Sequence, residues 1–145
     1  MPTRSARIDW TGTLTDGGGQ VDLLSSRAAH FPVSFPRRAA DDAGGVTSPE
    51  ELIAAAHASC YAMQLSALIG AAGGTPRALD VTADVTLRPD NAGGFAITGI
   101  ALTVRGEVDG LDEAAFLAQA QAAKETCPVS KALAGTTITL EASLA

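Results

Sequence analysis

SPEELIAAAHASCYAMQLSALIGA, residues 48–71, decides the fold of this chain. Ser48 and Glu51 have the spacing of a capping box, in which the serine hydroxyl accepts from the Glu51 amide and the glutamate reaches back to the Ser48 amide. Pro49 stands at the first helical position, where its missing N–H costs nothing. Behind this cap, alanines and large apolar residues surround the helix on nearly all sides. That pattern predicts a buried central helix running to about Gly70 or Gly73, with Cys60 inside. The cap accounts for Glu51 and leaves Glu50 as a carboxylate free for another role, with a favourable interaction with the helix dipole as the simpler reading.

Upstream, ARIDWTGTLT (6–15) and GGGQVDLLSS (17–26) read as the strands of a hairpin about the turn Asp16-Gly17-Gly18-Gly19. RAAHFPVSFPRRAADDAGGVT (27–47) reads as a long polar connection, of a length usually reserved for functional or disordered segments. Downstream, LDVTADVTLR (79–88) and FAITGIALTVRGEV (95–108) form a second hairpin about residues 89–94. LDEAAFLAQAQAAKETC (111–127) has helical composition, with Leu111, Ala115, Leu117 and Ala118 as its apolar side and Asp112 and Glu113 near its N-terminus. Pro128 ends that helix and opens a short one, PVSKALAG, before the β-branched strand TTITLEASL. The order predicts one α+β domain over 1–145, mainly antiparallel, without repeats or linkers.

Composition narrows the function. Hydrophobic residues make up 46% of the 145 and charged residues 18%. Glu50, Glu51, His57 and Gln64 interrupt the longest apolar run before it reaches the roughly 18 residues of a membrane span, so a soluble chain with no membrane partner is expected. MPTRSARIDW has no apolar signal core, which makes the cytoplasm the default location. A net charge of -6, with Arg37-Arg38 as the sole basic cluster, argues against nucleic acid. Two cysteines and two histidines without a close Cys-x-x-Cys spacing argue against zinc.

In a reducing compartment the two cysteines read as a redox pair or as two buried thiols. Exposure statistics favour core filler for Cys60 alone. Cys127, however, directly precedes Pro128 at a helix N-cap, where Ser or Asp is usual and where the helix dipole favours a thiolate.

SPEELIAAAHASCYAMQLS, KETCPVSKAL and the strand segment ADVTLRPDNAGGFAITGIALTV together resemble the OsmC/Ohr family of thiol-dependent peroxidases, the OsmC branch more than the Ohr branch. The resemblance covers nearly the whole chain and is weakest in the first 30 residues. It implies antiparallel sheets around long central helices in an intertwined homodimer that reduces organic hydroperoxides and, to a varying degree, hydrogen peroxide. It also implies a peroxidatic role for Cys60, a resolving role for Cys127, and a site completed by Glu50 and an arginine of the preceding loop. Arg38 fits best by its distance from Phe35, with Arg37 adjacent; the plain alternative is that both are solvated loop charges. No metal, flavin or haem is implied, and the reductant is an external dithiol of lipoyl type.

The chemistry follows from the thiol. At a pKa near 8.5 only about 3% is thiolate at pH 7, and burial makes this worse. A guanidinium at about 4 Å supplies roughly 4 kcal/mol at an effective dielectric of about 20, close to three pK units before desolvation is subtracted. Helix geometry separates Glu50 from Cys60 by about 15 Å along the axis and places them on different faces. The glutamate and arginine of a site are therefore most simply expected from the partner subunit, the alternative being that the chain brings the arginine alone across, and an obligate homodimer with two sites at the interface is predicted. His57 shares a face with Cys60 but sits too close along the helix for nucleophile–base geometry, and reads as a hydrogen-bonded core histidine. The competing functions are a redox-sensing or binding module with little turnover and a structural protein with two buried thiols.

Overall fold

The elements of the computed structural model, which describes residues 1–145, run β1 (Arg7–Thr11), β2 (Gly18–Asp22), β3 (His30–Val33), α1 (Phe35–Arg38), α2 (Pro49–Ala71), β4 (Thr75–Pro89), β5 (Phe95–Asp109), α3 (Glu113–Thr126), α4 (Pro128–Ala132) and β6 (Thr137–Leu144). The fold is α+β, as expected. The chain divides into two compact units, Met1–Leu52 and Ile53–Ala145.

The first unit is an antiparallel sheet in the order β1-β2-β3. Its first turn lies earlier than the glycine run suggests: Gly12 adopts φ +87° and the Gly17 amide donates to the Thr13 carbonyl at 2.8 Å. Gly18 and Gly19 belong to β2. The segment 27–47 is not a plain loop, because it contains β3 and α1. Two prolines conceal them: Pro32 occupies an edge strand and Pro36 the first turn of a helix, the positions where proline is tolerated.

In the second unit β5 is the central strand, antiparallel to β4 and parallel to β6, with Gly99 opposite Thr137 and Gly106 opposite Leu144. The parallel β5–β6 pair is the exception among pairings that are otherwise antiparallel, as the mainly antiparallel reading expected. α3 carries the chain back along the sheet, so β6 enters in the same direction as β5, as a helical crossover requires.

The core of this unit gathers Tyr61, Leu65 and Ile69 of α2, Leu102 and Val104 of β5, and Phe116, Ala120 and Ala123 of α3, together with Cys127. The buried face of α3 is therefore Phe116, Ala120 and Ala123, while Leu117 is exposed, a correction to the side read from the sequence. Gly106 explains the choice: a Cβ there would stand 2.5 Å from the Phe116 ring, so only glycine lets the ring lie on β5. The Tyr61 hydroxyl donates to the Ala120 carbonyl at 3.0 Å, tying α2 to α3.

α2 itself is buried along one face rather than on nearly all sides. His57, Tyr61, Leu65 and Ile69 point into the second unit, whereas Ala55, Ala56, Ser59, Met63 and Ala67 are exposed and Cys60 is half-buried. With a mean hydropathy of 1.4 over an 18-residue window, α2 has the length and composition of a membrane span despite its polar residues. The residues of its buried face pack against protein.

Candidate active site

The arginine–glutamate pair is built entirely within the first unit. Ser34 caps α1, its side chain accepting from the Arg37 amide at 3.4 Å, and this single turn ends at Arg38. The chain then returns along β3 through a Val33–Thr47 bridge and a Thr47 N–H donated to the Pro32 carbonyl at 3.2 Å. α2 consequently starts where its first turn meets α1. Arg38 grips Glu50 as a fork: Nε donates to Oε1 at 3.2 Å and Oε2 at 3.1 Å, and Nη2 donates to Oε1 at 2.6 Å. Arg37 turns instead toward Gly44, where φ is +57° and a Cβ would stand 2.8 Å from its Nη1. Of the two arginines, Arg38 is the one that holds Glu50.

The helix cap forms only in part. Ser48 Oγ accepts from the Glu51 amide at 3.2 Å, but the Glu51 carboxylate accepts from the Thr47 hydroxyl, where the capping-box reading sent it to the Ser48 amide. Glu50 is 7% exposed. Burial pushes its carboxyl up, but the Arg38 hydrogen bonds, its own backbone amide and the Ser48 hydroxyl outweigh burial and hold it below the ordinary carboxylate range. Arg38 is raised by the same partnership. A carboxylate held low in the folded chain contributes stability above its unfolded pKa and loses it as pH falls through the folded value. Glu50→Gln is thus expected to cost about 1–3 kcal/mol at neutral pH. Denaturant midpoints should converge with those of the parent chain as the pH drops below the ordinary carboxylate range; a constant difference down to the acid limit would contradict the pairing.

Against Arg38 lies an apolar cavity of about 240 Å³, walled by Ile8, Trp10, Val33, Phe35 and Leu52. Trp10 and Ile8 of β1 are 40% and 49% exposed, so this cavity opens onto apolar surface.

The thiols meet in the second unit. Cys60 comes from the middle of α2, and Cys127 is at once the C-cap of α3 and the N-cap of α4. Both are free thiols, close enough for each to shift the acidity of the other. Cys127 is fully buried and makes no side-chain cap hydrogen bond of ordinary geometry. Burial raises its pKa, but the Ser130 amide, the Cys60 thiol, the Ser130 hydroxyl and the Val129 amide favour its charged form and bring it below the normal thiol value. Cys60 moves the other way: burial and the Cys127 thiolate raise it, and the Val129 amide compensates only partly. Nothing that the second unit supplies makes Cys60 the more acidic thiol.

His57 is fully buried, and its Nε2 lies 2.8 Å from Ser130 Oγ. Ser130 was not singled out in the sequence. The signal was present, since Ser130 stands one helical turn after Cys127, but spacing alone does not reveal that His57 reaches it from α2. The structure brings Arg38 to Glu50, and Cys60 to Cys127.

The second unit thus carries a dithiol and the first a forked Arg–Glu pair. The family model described as OsmC-like protein matches residues 41–141, and the chain belongs to that family. It is 43% identical over 130 residues to Peroxiredoxin OsmC of Escherichia coli (strain K12), covering 90% of this chain and 89% of that one. It is 32% identical over 136 residues to the organic hydroperoxide resistance protein OhrA of Bacillus subtilis (strain 168), covering 91% and 94%. Among solved structures, that of the organic hydroperoxide resistance protein OhrB of Bacillus subtilis superposes with a TM-score of 0.71 at 26% identity, covering 97% and 98%.

Proposed function

We propose that this protein is a thiol-dependent peroxidase that reduces organic hydroperoxides to alcohols in the cytoplasm, at the expense of an external dithiol. The observation that carries this reading is the pair of free thiols, Cys60 packed against the core that holds Cys127 and each shifting the other's acidity. The names of its relatives, a peroxiredoxin and an organic hydroperoxide resistance protein, point to the same chemistry.

In this mechanism the Cys60 thiolate attacks the terminal peroxide oxygen, the O–O bond breaks, and the alkoxide takes a proton to leave as the alcohol. Cys60 is left as sulfenic acid. Cys127 condenses with it to a disulfide and water, and a lipoyl-type dithiol returns both thiols by exchange. No metal or organic cofactor takes part. Because burial and Cys127 together raise the Cys60 pKa, the thiolate needs a cation, and Arg38 held by Glu50 is the one this reading assigns to it. Arginine stays protonated and has donors to spare for the peroxide oxygen after two of its nitrogens have engaged Glu50. The apolar cavity beside Arg38 suits the carbon side of an organic hydroperoxide.

The exposed Ala55, Ala56, Ser59, Met63 and Ala67 face of α2 supports a homodimer in which this helix is covered by a second copy. The test is consumption of cumene hydroperoxide with dihydrolipoamide, on protein whose mass in solution is measured by sedimentation at micromolar concentration. Turnover by a dimer is expected. Full activity from a monomer would remove the dimer from the mechanism, and rapid disulfide formation without turnover would favour a redox sensor.

A further inference from the structure

His57 has one ring nitrogen paired with Ser130 and the other, Nδ1, buried without a hydrogen-bond partner. Burial keeps the imidazole neutral. A neutral ring carries one hydrogen, and the two placements differ in consequence. On Nδ1 it would be an orphaned buried N–H, the rarer and costlier defect; on Nε2 it leaves only an unused lone pair. The hydrogen therefore sits on Nε2 and is donated to Ser130 Oγ at 2.8 Å. With its oxygen engaged as acceptor, the Ser130 hydroxyl is free to donate its own hydrogen; Ser130 is the third residue of α4 behind its N-cap Cys127, one helical turn on, and its hydroxyl favours the charged form of that thiol.

Resting on the peroxidase reading above, we propose that His57 and Ser130 are positioning residues for the resolving step: a donor chain, His57 Nε2–H to Ser130 Oγ–H to Cys127 Sγ, holds the Cys127 sulfur as the nucleophile aimed at Cys60. Ser130 is only 5% exposed and His57 fully buried, so water does not compete for either link. The other titratable groups that interact with Cys127 come from α2. The Cys60 thiol favours the charged form of Cys127, and Tyr61, raised by burial and by that charge, keeps its proton on the Ala120 carbonyl.

The electron and proton balance closes. One proton of the dithiol leaves with the alcohol when Cys60 is oxidised, and the other passes to solvent as Cys127 becomes the nucleophile. The Cys127 thiolate then attacks the sulfenic sulfur, the S–S bond forms and the S–O bond breaks. Cys127 is oxidised and Cys60 reduced by one electron each, and the departing hydroxide regains a proton from solvent as water. A sulfenic acid that waits for its partner is open to a second peroxide and to sulfinic acid, so the chain serves to shorten that wait.

Stopped-flow single turnover with cumene hydroperoxide separates the steps. The peroxide-dependent phase reads the attack by Cys60; the peroxide-independent phase reads disulfide formation. Ser130→Ala and His57→Leu are expected not to slow the first phase, because less charge on Cys127 eases ionisation of Cys60, and to slow the second about 10- to 100-fold, with more Cys60 sulfinic acid by mass spectrometry. His57→Gln, which can offer an N–H near the Nε2 position, is expected to restore most of the rate. Independently of any peroxide, the thiolate absorbance of Cys127 in a Cys60→Ser chain is expected to titrate about one to two pH units higher once Ser130→Ala is added. Ser130→Ala alone carries both readouts if His57→Leu does not fold. An unchanged second phase, or an unchanged titration, overturns the donor chain. Absence of the first phase in the parent protein would instead overturn the peroxidase reading and leave the titration to decide this one.

Discussion

Cys60→Ser is expected to abolish hydroperoxide consumption, by about 10³-fold or more, because a serine hydroxyl at the same position is neither ionised nor a soft nucleophile toward a peroxide oxygen. Cys127→Ser is expected to fail differently. Its first equivalent of cumene hydroperoxide is consumed no more slowly than by the parent, since Cys127 takes no part in the attack and only raises the Cys60 pKa. The product then stalls as sulfenic acid and climbs to sulfinic acid under excess peroxide. The contrast is measured by peroxide loss against enzyme equivalents and by intact mass. Equal multiple-turnover rates in Cys60→Ser and the parent would end the assignment of Cys60, and the reverse pattern, a burst in Cys60→Ser but none in Cys127→Ser, would exchange the two roles. The exchange is a real alternative on electrostatic grounds, because the amides and the hydroxyl at the start of α4 favour the charged form of Cys127 and leave Cys60 raised.

Arg38→Ala should reduce kcat/KM by about 10²–10³-fold. One part is thiolate population: on the proposed reading the guanidinium serves the Cys60 thiolate, and without it the thiol returns toward an ordinary or higher pKa with only a few per cent ionised at pH 7. The other part is loss of a donor to the oxygen on which charge develops as the O–O bond breaks. These parts separate by pH. The parent is expected to be flat through neutrality, whereas Arg38→Ala should gain rate as pH rises through about 8–9, recovering the population part and leaving the donor part missing. Arg38→Lys should recover little, since an ammonium cannot make the fork that binds both Glu50 oxygens. Arg37→Ala is the control, expected within about twofold of the parent, as for a loop charge without a buried partner. Equal losses at Arg37 and Arg38 would show that net loop charge, rather than the Glu50-held guanidinium, is what matters.

Much of this protein was legible in its sequence because the signals are local. Ser48 and Pro49 start α2 where the cap chemistry requires, Pro128 separates α3 from α4, and the glycines of 89–94 close the β4–β5 hairpin. The two cysteine motifs, in order, carried the family. Where a local signal was ambiguous the reading slipped. β3 and α1 were hidden by prolines whose tolerance depends on being at a sheet edge or a helix start, and the apolar face of α3 was misplaced because alanine fits either side of a helix.

Other features depend on atoms far apart in the chain. The direction of β6 follows from the α3 crossover, and the choice of Arg38 over Arg37 from a return of the chain along β3 that lays Glu50 against one guanidinium. Ser130, beside Cys127, meets at 2.8 Å a histidine 73 positions away, a contact that spacing does not reveal. Sequence alone determined the elements, the dithiol and the family, since helix caps, turns and motifs are written in neighbouring residues. Tertiary structure decided which charge meets which partner, because hydrogen bonds and desolvation act over a few ångströms of space whatever the separation along the chain.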